Sequence, residues 1–459
     1  RNLQSGEEFE QPYDKLILST GASPFVPPIE GVEASNVLTL RNIPDTDIIK
    51  ELVDRDSIKN VLVVGAGFIG LEMVEQFIGL GLTTTLVELQ PQVLPLLDKE
   101  MAKPLEDELR QKDVALFLGD GIQEIVCDEN NVATAVKLNS GKTIQTDLIL
   151  LGIGVRPNTQ LAEAADLKLG ESRGIATNNY MQTNDPDIYA VGDAAEYPYG
   201  PTGNRMRIAL AGPANRAGRL AGEHAATGKS ATMAPVFGTS IVRLFDLTVA
   251  MTGLTESLAN RLNIPAKSVT IIAKQHAGYY PGAQTLTLKL MFSPDNGTLL
   301  GAEVIGGDGV DKRVDIIATA MAMKATVKDL AGLDLAYAPP FGSAKDPIHM
   351  AAFAACNHLE GVTSFVAADT DMTDWQVVDV RTEKEISAMP FPQGEQATHI
   401  PLDNLRDRIG ELNTTLPTLV VCASGLRSYL ASRILIQNGF ENVKSLSGGA
   451  ITRIRLWED

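Results

Sequence analysis

Cysteine is scarce in this sequence: Cys127, Cys356 and Cys422 are the only three in 459 residues, odd in number and far apart. With no CxxC there is neither a disulfide nor a zinc framework to read, and a reducing, cytoplasmic compartment is expected. Positive charge is also in deficit. Lys and Arg number 39 against 57 Asp and Glu, a formal net charge of −18, which repels nucleic acid and anionic lipid and removes both from the expected partners. No apolar run makes a membrane span of ~20 residues. The most apolar stretch, 61–82, holds Glu72, Glu75 and glycine at five positions. The first residues, Arg-Asn-Leu-Gln-Ser-Gly-Glu-Glu, show neither an initiating Met nor a basic-then-apolar leader, and the start reads as a cut.

What is present is the balance of a soluble α/β chain of about three domains: 44% hydrophobic, 21% charged, 40 Gly and 24 Pro. Residues 14–20 form a short apolar run that ends at Gly21 and meets Pro24, Pro27 and Pro28, a buried strand entering a loop. From Lys59 the order is VLVVG, a Gly-rich turn, helical spacing from Phe68 to Leu80, then TTTLVE, one βαβ unit. Strands are expected at 115–118, 133–138, 148–151 and 188–191, with a small-residue helix over 211–226. After about Pro235 the character becomes Thr- and Val-rich, with strands within 239–252, 268–274, 284–292 and 298–305 and a helix over 311–324, an α+β module. Residues 374–459 alternate strand and helix again.

Three places carry chemistry. The GAGFIG sequence at 65–70 follows a strand and opens a helix, where a dinucleotide fingerprint must lie: Gly65 for the tight turn, Gly67 for approach to a pyrophosphate, Gly70 for close helix–strand packing. Glu88 ends the next strand, where its carboxylate accepts a ribose 2′-OH and repels a 2′-phosphate, favouring NADH over NADPH. Thr20-Gly21 and Gly192-Asp193, each after a strand, bracket this domain as an outer nucleotide-binding domain does when another is inserted into it; plain turns are the other reading. Cys422 follows the apolar strand 418–421 and precedes a helix from Leu426. In the loop Ala-Ser-Gly-Leu-Arg-Ser, backbone N–H groups, the helix N-terminus and Arg427 converge to stabilise negative charge on sulfur.

STGASP, GAGFIGLE, GIGVRPN, IYAVGDAAE and ALAGPANRAGR occur in the order and spacing of the two-dinucleotide-fold flavoprotein disulfide reductases. The sequence resembles most the coenzyme A-disulfide reductase and NADH oxidase branch. His276-Ala-Gly-Tyr-Tyr-Pro-Gly and Tyr337-Ala-Pro-Pro-Phe341-Gly-Ser-Ala-Lys-Asp-Pro bring it to the coenzyme A-disulfide reductase side, over residues 12–358. The resemblance implies FAD and NADH or NADPH as cofactors, with coenzyme A as a substrate group. It places Asp193 at the flavin ribityl and pyrophosphate, Thr20 and Gly21 at the adenine half, and Gly154, Gly192 and Ala211 in the same nucleotide-binding motifs. Tyr279, Tyr280 and Tyr337 fall in the motifs that supply active-site tyrosines, Tyr280 and Tyr337 being assigned catalytic roles; Phe341 stands where some relatives have another Tyr. A phenol protonates or holds a leaving thiolate and a phenyl does not. Aromatic packing at a subunit interface is the alternative use of these rings. Relatives begin with a further GxGxxG and a redox cysteine over the flavin; neither is in these residues, and both are expected to precede residue 1.

The pattern C-x-x-G-x-R-S at Cys422 resembles the active loop of rhodanese sulfurtransferases, and Val378-Asp379-Val380-Arg381 their first signature. His399-Ile-Pro-Leu is a partial match to a second signature, and Ser447-Gly448-Gly449 fits the closing turn. The alternative is a rhodanese-like module kept for packing. The two resemblances together imply this organisation: an α/β two-dinucleotide-fold reductase with FAD-domain segments at 1–57 and 179–237, an NAD domain at 58–178, a dimerisation domain at 238–358, a linker at 359–369 and a rhodanese domain at 370–459. They imply reduction of coenzyme A disulfide, coenzyme A persulfide or polysulfide in a homodimer, with Cys422 carrying sulfane sulfur and a small disulfide or persulfide as partner. The rival functions are an NADH oxidase or peroxidase, and a sulfur carrier on an inactive reductase scaffold.

Overall fold

A computed structural model describes residues 1–391 and 396–457. These divide into two compact units, each made of two chain segments: Arg1–Phe25 with Gly154–Gly238, and Val26–Ile153 with Thr239 onward. The last two residues of the expected C-terminal domain, and 392–395 within it, lie outside the described residues.

Along the chain, β1 (Leu16–Leu18), β2 (Ala22–Pro24), β3 (Val37–Thr39) and α1 (Ile43–Val53) come first. The expected alternation follows: β4 (Asn60–Val64), α2 (Phe68–Gly79), β5 (Thr83–Glu88), α3 (Lys99–Gln111) and β6 (Ala115–Leu118). A meander of β7 (Ile122–Cys127), β8 (Ala133–Leu138) and β9 (Thr143–Gln145) leads to β10 (Leu148–Leu151). Next come β11 (Val155–Pro157), α4 (Gln160–Ala164), β12 (Ile188–Ala190), β13 (Glu196–Pro198), β14 (Arg205–Arg207) and α5 (Ala211–Thr227).

In the first unit β1 pairs in parallel with β12, and β2 runs antiparallel to β11. In the second, β3, β10, β4, β5 and β6 form one parallel sheet in that order. β10 is buried along its whole length and β4 everywhere but Asn60, as strands covered on both faces must be, so their side chains are continuous Leu, Ile and Val. Two expected boundaries shift. β3 pairs with β10, so 26–57 belong with the nucleotide sheet and not with an FAD segment ending at 57; β11 pairs with β2, so the sheet's contribution ends at Ile153, not at 178. Strand pairing across ~100 residues decides both, and local pattern does not register it.

From 239, β15 (Ser240–Leu244), β16 (Leu247–Gly253), α6 (Glu256–Arg261), β17 (Lys267–Lys274), β18 (Thr285–Phe292) and β19 (Leu299–Gly306) build an antiparallel sheet in the order β15, β16, β19, β18, β17. The segment 239–252 is a hairpin, turned at Phe245-Asp246 with Phe245 at φ +53. The sheet is followed by α7 (Val310–Ala322), α8 (Val327–Ala331) and α9 (Pro347–Leu359).

The C-terminal region holds β20 (Ser364–Val366), β21 (Gln376–Asp379), α10 (Glu383–Ala388), β22 (Thr398–His399), α11 (Leu405–Arg408), β23 (Thr418–Val421), α12 (Leu426–Gln437), β24 (Val443–Leu446) and α13 (Gly449–Arg455). Its parallel sheet runs β20, β24, β23, β21, β22. β20 lies inside the expected linker 359–369, so this domain starts at least six residues before the 370 read from the sequence. The region is fastened to the preceding sheet: Thr270 on edge strand β17 donates its N–H to Ser447 Oγ at 2.6 Å and accepts from the Gly448 N–H at 3.1 Å.

Candidate functional site

β23 ends at Val421 and delivers Cys422 to the start of α12, where the side chain is 1% exposed. Cys422 Sγ accepts the Gly425 N–H at 3.1 Å and lies 3.5 Å from Ser428 Oγ. Ser428 Oγ donates to the Gly425 carbonyl at 2.8 Å, and Ser445 Oγ lies 2.8 Å away on β24. The loop closes because Gly425, the N-cap of α12, takes φ +106, a conformation that costs other residues strain. No side chain caps α12, so its first N–H groups are left for a ligand or for the sulfur. Behind the loop, Ala450 N–H donates to the Cys422 carbonyl at 2.8 Å, and a Cβ on Gly449 would lie 2.5 Å from that oxygen.

Arg427 sits in this loop with its guanidinium paired to Glu385 on α10, Nη1 to Oε2 at 2.8 Å with a second contact from Nη2 to Oε1. The hydrogen bonds from Arg427 hold the Glu385 carboxyl down to about 2. The same carboxylate accepts the Thr382 N–H at 2.8 Å and so also caps α10. The sequence signal for Glu385 is the Thr382-x-x-Glu385 capping box, which says nothing of Arg427. In the Asp-Val-Arg signature, Asp379 and Arg381 form a buried pair, Nη2 to Oδ2 at 2.7 Å, and His399 Nε2 is 2.8 Å from the Arg381 carbonyl. These residues brace the domain from inside.

The other thiols differ. Burial pushes the Cys356 thiol up in α9, and Cys127 at the end of β7 packs at the edge of an apolar cluster with its Sγ 3.9 Å from the carbonyl oxygens of Gly31 and Ile125.

At the nucleotide turn, Gly65 has φ +98, and a Cβ there would lie 2.6 Å from the Gly152 carbonyl. A Cβ on Gly70 would lie 1.9 Å from the Gly65 oxygen, whereas one on Gly67 would meet nothing within 4 Å. Two glycines thus serve packing and the third leaves open space before the uncapped N-terminus of α2, which fits a dinucleotide pyrophosphate. Glu88 is almost buried and holds the turn, accepting the Ala66 N–H at 2.7 Å and the Gln90 N–H at 2.8 Å.

In the first unit, Thr20 and Asn158 clasp each other: Thr20 Oγ1 donates to the Asn158 carbonyl at 2.6 Å, and Asn158 Nδ2 to the Thr20 carbonyl at 2.9 Å. Gly21, at φ +67, accepts the Asn158 N–H. Asn158 was not singled out from the sequence. Asp193 lies in the single turn Gly192–Ala194, with Gly192 at φ +78, and α5, which opens at Ala211 without a side-chain cap, packs on that turn. The carboxylate and the uncapped helix start fit the anionic and hydroxylated middle of a flavin nucleotide. Gly154, at φ +96, opens this unit's second segment with free space around its Cα.

Tyr279 and Tyr337 bring their hydroxyls to 3.4 Å, which raises the Tyr279 phenol, while Tyr280 packs edge-on against His276 with ring centroids 5.7 Å apart. Tyr279, Tyr280, Tyr337 and Phe341 are all exposed.

Residues 1–218 match the pyridine nucleotide-disulphide oxidoreductase family, 239–347 its dimerisation domain, and 364–450 the rhodanese-like domain. The solved structure of reduced Bacillus anthracis CoADR-RHD is 42% identical, covers 99% of this chain and 81% of its own, and superposes with a TM-score of 0.94. A NAD-dependent persulfide reductase from A. fulgidus is 37% identical, with 97% and 80% covered and a TM-score of 0.88. A protein named NADH oxidase from Methanocaldococcus jannaschii is 37% identical over 357 residues, 78% of each chain. No helix among the described residues is long and apolar enough to cross a membrane. With both the reductase and rhodanese-like regions matched over nearly their full lengths, the chain belongs to the pyridine nucleotide-disulphide oxidoreductases, as a CoADR-like member that carries a dimerisation domain and a C-terminal rhodanese domain.

Proposed function

We propose that this oxidoreductase, as a homodimer, spends NADH on the S–S bond of coenzyme A disulfide, coenzyme A persulfide or a polysulfide, and that Cys422 carries the sulfane sulfur. The observation that carries the reading is the Cys422 loop: a buried sulfur that already accepts one backbone N–H at 3.1 Å, at an uncapped helix start. A module retained only for packing has no need of that glycine-dependent turn. The Cys422 thiolate attacks the outer sulfur of a persulfide R–S–SH, forming Cys422–S–SH and releasing R–S⁻; an acceptor thiolate then removes the sulfur. For a persulfide the net reduction is RSSH + NADH + H⁺ → RSH + H₂S + NAD⁺.

Gly65, Gly67, Gly70 and Glu88 hold the dinucleotide, with the Glu88 carboxylate against a 2′-phosphate. Thr20, Gly21, Gly192, Asp193 and Ala211 hold FAD, which when bound supplies the two-electron relay between nicotinamide and sulfur. Tyr337 and Tyr280 offer phenols to a departing thiolate. Steady-state NADH oxidation by the flavin-loaded full chain is measured with coenzyme A persulfide, coenzyme A disulfide and oxygen in turn. Turnover on the sulfur substrates well above oxygen supports the reading; oxygen as the faster oxidant supports an NADH oxidase instead.

A further inference from the structure

A cavity of about 240 Å³ opens between the C-terminal domain and the sheet to which it is fastened, room for roughly eight waters at ~30 Å³ each. Its floor is edge strand β17, including Ile272; one wall is α9, with Phe353 and Ala354; the other is the segment Ser424, Gly425 and Leu426, which starts two residues after Cys422. The lining is predominantly apolar. Lys345 lies on it, exposed, with no carboxylate in ion-pair range among the described residues. An apolar hollow with one unpaired ammonium selects a ligand with an apolar body and a single anionic head.

We propose that this cavity binds a small amphipathic carboxylate, a straight-chain acid of about six carbons, with its chain between Ile272, Phe353 and Leu426 and its carboxylate on Lys345. Gly425 belongs both to the cavity wall and to the hydrogen bond on Cys422 Sγ. An occupant therefore braces the loop in the conformation that holds the sulfur and slows the exchange of reagents at Cys422. The binding claim stands apart from the sulfur-transfer reading; only the functional consequence of the bracing rests on it.

The test is calorimetric titration of the full chain with hexanoate, hexan-1-ol and hexylammonium. Hexanoate is expected to bind most tightly and hexylammonium least. Lys345→Met weakens hexanoate by about tenfold and leaves hexanol unchanged; Lys345→Arg keeps hexanoate; Ala354→Trp, which fills the hollow, removes both. Saturating hexanoate slows alkylation of Cys422 by iodoacetamide and leaves Cys127 unaffected. Absence of saturable hexanoate binding at millimolar concentration overturns the proposal, as does binding indifferent to Lys345→Met. Binding that follows the variants while transfer by Cys422 is absent sinks the sulfur-transfer reading alone.

Discussion

Glu385 grips Arg427 at two points while also capping its own helix, so one carboxylate joins the start of α10 to the loop that carries Cys422. Glu385→Gln leaves the cap and breaks the charge pair. The pair is partly exposed, so the loss of stability is small, within about 1 kcal/mol, while sulfur transfer falls several-fold as Arg427 loses its anchor. Because the folded carboxyl is held below its ordinary 4.5 to about 2, its stabilisation is complete above 4.5 and drains away as pH falls toward 2. Unfolding midpoints of wild type and variant, measured across that window, converge at the acid end.

Cys422→Ser abolishes sulfur transfer from a persulfide or thiosulfate to cyanide, while Cys127→Ser and Cys356→Ser retain it. Mass spectrometry of donor-treated protein shows one added sulfur on the Cys422 peptide. An unmodified Cys422 peptide in folded protein contradicts the carrier role.

Glu88→Ala lowers the preference for NADH over NADPH by about tenfold, equal to ~1.4 kcal/mol, with part of the loss appearing as weaker binding of both because the Ala66 N–H loses its acceptor. Titration of both cofactors measures it. An unchanged ratio removes Glu88 from cofactor selection.

Lys289, buried on β18, pairs with Asp98 at 2.8 Å, Glu100 at 2.5 Å and Glu256 at 2.8 Å, and these carboxylates hold its ammonium well above the ordinary lysine range. Lys289→Met strands these carboxylates and costs about 3–5 kcal/mol, read by urea denaturation. Lys328→Met, which removes an exposed pair with Glu360, leaves the urea midpoint almost unchanged because water screens that pair.

Light scattering of the full chain at micromolar concentration reports a dimer; a monomer there contradicts an interface on the matched dimerisation domain.

The βαβ unit from Asn60 to Glu88 and the strand–loop–helix around Cys422 were legible because each is local: Gly punctuation, apolar runs and helical spacing lie within 30 residues. The pairing of β3 with β10 and the placement of β20 beside β24 were not, since each joins a strand of only three residues to a partner far along the chain. Glu385 escaped notice for a related reason. Its capping role is satisfied within its own helix start, and its second partner lies 42 positions away. The Lys289 cluster was invisible because a Lys in a Thr- and Leu-rich strand reads as a solvent-facing position until α3 closes over it.

The bonds from Thr270 to Ser447 and Gly448 occupy peptide groups that face outward from β17, the last strand of its sheet. Without the rhodanese domain those groups, flanked by Val269, Ile271 and Ile272, become an open strand margin of the kind that recruits other strands and precipitates proteins. Excising residues from 360 onward is therefore expected to yield a reductase whose solubility suffers before its chemistry does, and on this count the appended domain is a cover for its host.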